Sequence, residues 1–160
     1  MHMKIVVSLP NNYSEKSLKP FSEGVSYLKR LGHNVFETNY QSYKKQSAEL
    51  MNKNYLKVDK AIKDTDILIA EVTQADSKVG FEIARALDEK KVVIAFQDDK
   101  LKDLVLPVVH TDQLRNLMLA KYNIKNIISV IEAKVKEAAS KLDSKFILII
   151  SPEIDRYLDW

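Results

Sequence analysis

Short apolar runs alternate along the chain with longer segments whose apolar residues recur every three or four positions. The runs have the length and the β-branched content of buried strands, and they lie at residues 4–7, 34–38, 66–72, 91–96 and 116–122. The segments between them predict helices near residues 20–31, 47–63, 79–87 and 124–142. Strands that alternate with helices in this order favour a parallel sheet covered by the helices.

The alternation predicts an α/β fold, namely a Rossmann-like or flavodoxin-like open, mostly parallel five-stranded sheet with helices on both faces. A chain of 160 residues is long enough to bury the core that such a sheet needs. We expect residues 1–143 to form this domain. Within it, the first helix is predicted to begin near Pro20 and to stop before Gly32.

Residues 144–160 are predicted to form a separate tail. Residues 146–150 are a strand-like apolar run, and Ser151 and Pro152 after them are typical of a helix start. The tail is therefore predicted to be a strand followed by a short helix. It is either an oligomerisation element or a truncated segment that resembles the start of a ribbon-helix-helix DNA-binding domain. Nucleic-acid binding is expected only if the tail belongs to a longer segment of that kind.

Composition and motifs narrow the possible chemistry. The formal net charge is +3 and the lysines are interleaved with acids, which is typical of solvated helix faces rather than a nucleic-acid tract. The apolar runs are too short to cross a membrane, and the lack of a visible secretory signal and of cysteines leads us to expect a cytoplasmic protein. There is no cysteine, and the three histidines share no metal-ligand spacing, so we expect no metal. The three glycines form no phosphate-binding motif, and no organic cofactor is expected either.

Glu82 is the candidate catalytic residue, because residues 66–95 predict a strand, a polar loop, a helix and a second strand. In open α/β sheets ligands bind beyond the carboxyl ends of the strands, where this loop and the first turn of its helix lie. Glu82 lies in that turn, and Gly80 beside it permits close approach to the backbone. The alternative interpretation is an ordinary acidic residue at a helix start, where the helix dipole favours negative charge.

The same region resembles a known superfamily. The residues Ala70-Glu71-Val72-Thr73-Gln74, followed by Val79-Gly80-Phe81-Glu82-Ile83-Ala84-Arg85-Ala86, are similar to the signature of the nucleoside 2-deoxyribosyltransferase superfamily, which includes the 2′-deoxynucleoside 5′-monophosphate N-glycosidases. The order of elements agrees from residue 4 to about residue 142. The resemblance implies that Glu82 is a nucleophile that attacks the anomeric carbon of a nucleoside and forms a glycosyl-enzyme intermediate.

The resemblance also implies a set of substrate-binding residues. Ser8 follows the first strand and matches a serine that helps to hold the sugar or the phosphate, although the preceding glycine of the family is Val7 here. The nucleotide-specific members have serine and glycine where this chain has Asp76 and Lys78. The deoxyribosyltransferases have an aspartate at the place of Asp76 that meets the sugar 5′-hydroxyl, so Asp76 favours a free nucleoside. A solvated loop aspartate remains the alternative.

One expected acid is missing. Family enzymes place an aspartate eight residues before the third strand's first Asp, where it positions the nucleophile and handles the proton that the leaving base must gain. This chain has Val58 there, and Asp59 is one residue further on, about 100° around the helix. Asp59 is kept as a weak catalytic candidate. Tyr13, also a weak substrate-binding candidate, and Tyr55 are possible substitute proton donors or simply packing residues.

Two functions therefore remain open, beside a structural or assembly protein that only inherited the fold. The first is N-glycosidic bond cleavage or transfer on (deoxy)nucleosides or nucleotides through the glutamate nucleophile. The second is a catalytically impaired nucleoside or nucleotide sensor on the same fold, in which turnover is lost with the acid at Val58. In both cases we expect a nucleoside or nucleotide ligand and a homodimer or higher homo-oligomer.

Overall fold

The computed structural model describes residues 1–11, 14–38, 47–102 and 115–158, and for residues 144–158 it describes the backbone alone. Tyr13, the loop at 39–46 and most of the irregular segment after the fourth strand lie outside the described residues. The elements, in chain order, are β1 (Lys4–Ser8), α1 (Glu15–Arg30), β2 (Asn34–Thr38), α2 (Ala48–Asp64), β3 (Ile67–Glu71), α3 (Ser77–Asp88), β4 (Val92–Asp98), β5 (Leu117–Tyr122) and α4 (Ile127–Leu158).

The strands of the described residues form one parallel sheet of five strands in the order β2-β1-β3-β4-β5. This order is the flavodoxin-like one. From β1 the chain first adds β2 on one side and then crosses to add β3, β4 and β5 on the other, so the strand order reverses between β1 and β3. The predicted open parallel sheet is confirmed. Ligands in such sheets bind beyond the carboxyl ends of the strands at the reversal point, which here means the ends of β1 and β3.

Alternate strand residues pack into two separate cores, one on each face of the sheet. On the first face, Ile5, Val7, Ile67 and Ile69 contact the helix layer of α1 and α4. On the second face, strand residues that include Leu68 pack with the apolar positions of α2 and α3, which are Val58, Ile62, Val79 and Ile83. The helices therefore cover both faces, as predicted, and α3 holds Glu82 beside the end of β1.

One predicted helix boundary is wrong. The first helix begins at Glu15, not near Pro20, because Ser14 caps it by accepting a hydrogen bond from the Ser17 N–H at 3.3 Å. Pro20 lies inside the helix, where it removes the bond to the carbonyl of Lys16. Lys16 is exposed, so water can satisfy that carbonyl.

The tail is also corrected. The backbone is one continuous helix from Ile127 to Leu158, so residues 146–150 are helical rather than a strand. A short apolar run does not distinguish a buried strand from a buried helical turn. A helix also satisfies its own backbone groups, whereas a strand needs a neighbouring strand. The division of the chain at residue 143 stays a prediction. Among the described residues, no helix is long and apolar enough to span a membrane.

Candidate active site

Glu82 is buried at the reversal point of the sheet, with 1% of its surface exposed. Its Oε2 accepts a short hydrogen bond from the Ser8 hydroxyl and a second one from the Thr38 hydroxyl at 2.6 Å. Ser8 and Thr38 are the last residues of β1 and β2, and they lie opposite each other in register. Two adjacent strand ends therefore hold one oxygen of a carboxylate that a helix carries.

Lys78 holds the other side of the same carboxylate. It precedes Glu82 by one helical turn, and its Nζ lies 3.2 Å from Glu82 Oε1 and 3.4 Å from Oε2. The ammonium also donates to the Leu9 carbonyl at 2.9 Å and to the Thr38 hydroxyl at 3.0 Å. Only 8% of the Lys78 side chain is exposed. Burial lowers the pKa of Lys78 from its usual range, against the opposing effect of the carboxylates of Glu82 and Asp76.

Asp76 connects the loop after β1 to the start of α3. Its Oδ1 accepts from the Val79 N–H at 3.1 Å and caps the helix, and its Oδ2 accepts from the Asn11 N–H at 3.0 Å. Both oxygens of the residue expected to meet a sugar hydroxyl thus already have backbone partners. Gly80 has open space around it, since a Cβ built there would meet no atom within 4 Å. This leaves the room that close approach to the α3 backbone requires.

A pocket of about 340 Å³ opens between α2 and α3 over Glu82. Its lining residues are Met51, Asn52, Asn54, Tyr55 and Val58 from α2, and Lys78, Phe81 and Glu82 from α3. The Tyr55 and Phe81 rings lie 6.0 Å apart at 45° to each other, and both are half exposed. A mostly apolar cavity with a few polar groups at its base is the usual form of a small-molecule site.

Val58 lies where the helix pattern placed it, buried against α3 and lining the pocket. Asp59 points elsewhere: its carboxylate contacts Arg85 Nε at 2.8 Å and Lys63 Nζ at 2.8 Å. The hydrogen bond from Lys63 and, to a smaller extent, the one from Arg85 lower the pKa of Asp59. Since these contacts keep it ionised and it is absent from the pocket lining, the geometry argues against Asp59 as the catalytic acid. Tyr13 is outside the described residues.

Thr38 is a site residue that the sequence reasoning missed. Its place at the end of a strand is visible in the sequence, but its proximity to Glu82 follows only once β2 is known to pair with β1. The ion pair between Lys78 and Glu82 is also absent from the prediction, which places Lys78 in the loop before a helix at residues 79–87. The spacing of four residues indicates the pair only once α3 is known to begin at Ser77.

A second buried carboxyl group lies on the opposite face of the sheet. Glu71, at the end of β3, is fully buried and accepts hydrogen bonds from Thr73 and from the Tyr122 hydroxyl, the latter at 3.0 Å. Burial raises the pKa of Glu71 from its ordinary range. Thr73 also accepts from the Asp98 N–H at 2.9 Å, so this cluster fixes the start of the loop that leads to α3.

Residues that could hold a metal are lacking in the part of the chain that the structure describes, because no three His, Asp or Glu side chains come together there. The expectation that no cofactor is needed stays a prediction.

The comparisons with known proteins bear on the fold. No protein-family model matches the chain, and no curated protein sequence matches it significantly. Among solved structures, it is similar to the CMP N-glycosidase BcmB of Clostridium botulinum, with a TM-score of 0.52, 18% identity, and coverage of 80% of this chain and 98% of that one. It is also similar to the 2-deoxyribosyltransferase of Bacillus psychrosaccharolyticus, with a TM-score of 0.54, 18% identity, and coverage of 77% and 90%.

A response regulator receiver domain of Bacillus halodurans is similar as well, with a TM-score of 0.50, 13% identity, and coverage of 83% and 97%. The chain thus shares the fold of the N-glycosidase and of the 2-deoxyribosyltransferase. The receiver domain has this fold too, so the assignment of chemistry depends on the site.

Proposed function

We propose that this protein cleaves or transfers the N-glycosidic bond of (deoxy)nucleosides or nucleotides, with Glu82 as the nucleophile. The observation that carries the proposal is a carboxylate buried at the reversal point of the sheet, held by Ser8, Thr38 and Lys78 and lining a pocket. A buried ion pair contributes little or nothing to stability compared with apolar side chains in the same place, so its presence beside a pocket supports a functional role. The N-glycosidase and the deoxyribosyltransferase of the same fold support the reaction class.

The geometry fits the proposed displacement. The two strand-end hydroxyls occupy Glu82 Oε2, whereas Oε1 has Lys78 as its partner and is the oxygen we assign to the attack. An oxocarbenium-like transition state at the anomeric carbon is stabilised by an adjacent anion, which then forms the covalent bond. Water or a second base resolves the glycosyl-enzyme intermediate. The pair of aromatic rings at Tyr55 and Phe81 offers a surface on which a nucleobase can stack.

The substrate-binding residues follow from the same frame. We assign Ser8 and Lys78, which both contact Glu82, to the place where the anomeric carbon meets that carboxylate, and Gly80 to close backbone approach. Asp76 keeps its proposed contact with a sugar 5′-hydroxyl, as an additional hydrogen bond beside the two backbone bonds it already accepts. A panel that includes both free nucleosides and 5′-monophosphates tests this assignment, because Asp76 predicts faster cleavage of the free nucleosides.

The test of the proposed function is chromatographic detection of free base from that panel. Glu82→Gln keeps the shape of the side chain and removes its charge, and we expect it to abolish base release. The matched control is Glu23→Gln, which makes the same change at an exposed position of α1 and is expected to leave the rate unchanged. Equal rates in wild type and Glu82→Gln would refute the assignment of Glu82 as the nucleophile. No release of base from any substrate would refute the proposal that the protein is an enzyme of this kind.

Val58 supports a second candidate function, a nucleoside or nucleotide sensor. The pocket has an aliphatic side chain where the related enzymes are expected to have their acid. A sensor predicts saturable binding of a nucleoside by calorimetry with no base released over days, and loss of binding on Tyr55→Ala. Measurable turnover that depends on Glu82 would exclude this alternative.

We also propose a homodimer or higher homo-oligomer. Large apolar side chains remain exposed on α2 and α3 next to the pocket, namely Leu50, Met51, Tyr55, Leu56 and Phe81. Contiguous exposed apolar side chains of this kind commonly mark an interaction site on a protein surface. Light scattering after size exclusion tests the proposal, and Leu56→Glu, at 56% exposure the most open of these positions, is expected to shift the protein towards the monomer.

A further inference from the structure

The proposed reaction needs a proton donor, and the pocket offers few. A nucleobase leaves as a neutral molecule only if a nitrogen or oxygen of its ring gains a proton. Three of the described lining residues have a titratable side chain: Tyr55, Lys78 and Glu82. Glu82 is assigned as the nucleophile. Tyr55 lies at the open side of the pocket with 46% of its surface exposed.

We propose that Lys78 is the general acid of the reaction and that its ammonium group protonates the base as the glycosidic bond breaks. The inference rests on the proposed function, because it assumes that Glu82 attacks the anomeric carbon. It assigns to a residue of α3 the proton transfer that the resemblance would give to an acid at the place of Val58.

The first support is position. Lys78 Nζ lies 3.2 Å from Glu82 Oε1, the oxygen assigned to the attack. The anomeric carbon must approach that oxygen to within bonding distance, and the glycosidic nitrogen is one bond further away. The base leaves on the side of the anomeric carbon away from Oε1, within the pocket that Lys78 also lines. The contacts of Nζ with the Leu9 carbonyl and the Thr38 hydroxyl fix the ammonium beside this path.

The second support is acidity. Burial lowers the pKa of Lys78, which makes its ammonium a readier proton donor near neutral pH than an exposed lysine. The charged groups that face it are Glu82 on the same helix and Asp76 at the helix start, and both oppose the shift. The uncharged Leu9 carbonyl, just after β1, and the Thr38 hydroxyl, at the end of β2, also contact the ammonium.

The steps balance without an added reagent. Glu82 Oε1 forms a bond to the anomeric carbon, the carbon–nitrogen bond breaks with its electron pair going to the base, and the base takes a proton from Lys78. The neutral Lys78 amine then removes a proton from water as the water oxygen attacks the anomeric carbon. The bond to Glu82 breaks, and both side chains return to their starting charge. Free base and free sugar are the products.

Leaving-group dependence tests the proposal. The substrate that wild type cleaves fastest in the panel is compared with a counterpart whose leaving group needs no proton. This is the N7-methyl derivative for a purine, and the 4-nitrophenyl 2-deoxyriboside for a pyrimidine. The variants are Lys78→Met, which removes the proton donor, and Lys78→Arg, which keeps the positive charge but holds its proton too tightly to donate it. Thermal unfolding confirms that each variant is folded.

We expect both variants to lower kcat on the ordinary substrate by about 10²- to 10⁴-fold, the usual range for general acid catalysis. On the activated substrate we expect a loss below about tenfold, because no proton is required there. The wild-type rate on the ordinary substrate is also expected to fall as the pH rises through the lowered pKa of Lys78. The rate on the activated substrate is expected to stay constant over the same pH range.

Other outcomes overturn the proposal in distinct ways. Equal losses on both substrates in Lys78→Met, with both restored in Lys78→Arg, would make Lys78 a positioning residue that acts through its charge. An unchanged rate in Lys78→Met would remove it from the reaction. Both results leave Glu82 as the nucleophile. If wild type cleaves neither kind of substrate, the proposed function fails and this inference fails with it.

Discussion

Thr38→Val tests whether the strand-end hydroxyls support Glu82. The substitution keeps the shape of the side chain and removes the hydroxyl that donates to Glu82 Oε2 at 2.6 Å and accepts from Lys78 at 3.0 Å. Thr38 is 1% exposed, so water cannot readily replace the lost partner. A hydrogen bond to a charged group contributes about 1.5–3 kcal/mol. If the same interaction holds the nucleophile in the transition state, base release should fall by about 10- to 150-fold.

The matched control is Thr65→Val, the same change at the opposite end of the sheet. Thr65 is 3% exposed, and its hydroxyl accepts from the Val6 N–H at 3.1 Å and lies 2.8 Å from the Ile67 carbonyl, without a charged partner. Both variants should lose stability, measured as the free energy of unfolding in urea, and Thr65→Val should lose about 0.5–1.5 kcal/mol. Only Thr38→Val should lose activity.

The activity ratio of the two variants decides the matter. It is measured as base release at saturating substrate, with each variant assayed well below its Tm. We expect Thr65→Val to keep the wild-type rate within about twofold, because its hydroxyl lies at the amino ends of the strands, away from the pocket. Equal rates for Thr38→Val and Thr65→Val would refute the reasoning that the end of β2 belongs to the active site.

The remaining predictions concern stability. Gly24→Ala should cost about 1–3 kcal/mol in urea unfolding, because its new Cβ would meet a buried isoleucine of α4 at 2.9 Å, whereas Gly80→Ala has open space and should gain about 0.5–1 kcal/mol while slowing base release if substrate approaches that backbone. The pKa of Glu71 is raised in the folded state, which therefore binds more protons than the unfolded state, and wild-type stability should fall as the pH rises above 4.5. Glu71→Gln cannot ionise, so its stability should increase relative to wild type over the same pH range. The single variants Lys78→Met and Glu82→Leu should each unfold below the wild-type Tm, because each leaves one buried charge without its partner. The double variant should be inactive but should unfold at or above the wild-type Tm, because both charges are replaced by apolar side chains.

Much of the fold follows from local pattern. The strand runs are short, rich in β-branched residues and interrupted by amphipathic segments, so their number and parallel pairing could be predicted. The start of α1 could not, because Ser14 and Pro20 both fit a helix beginning and only the Ser14 cap is realised. The tail failed for a related reason. Residues 146–150 are too few to show either period, and they continue a helix that is already under way.

The contacts of the candidate site are likewise either local in sequence or dependent on the order of the strands. Glu82 and Lys78 lie one turn apart on α3, so their proximity is local, but a predicted helix that starts at residue 79 leaves Lys78 in the loop. The contacts of Ser8 and Thr38 with Glu82 span 74 and 44 residues, and they depend on strand order. Asp59 illustrates the limit of spacing alone. A rotation of about 100° takes it out of the pocket lining, and Arg85 of α3 and Lys63 pair with its charge instead.

The cost of the Lys78–Glu82 pair is itself an argument for function. Each charge loses its hydration on burial, and their mutual attraction seldom exceeds that loss, so hydrophobic side chains in the same place would serve stability as well or better. The pair is further secured by two strand-end hydroxyls and a backbone carbonyl, which restrict both side chains to one geometry. Restriction of this kind is what a nucleophile and a proton donor require of their surroundings, since a displacement of about 1 Å can cost about 100-fold in rate. A merely structural pair would not need to line a pocket, as Lys78 and Glu82 both do.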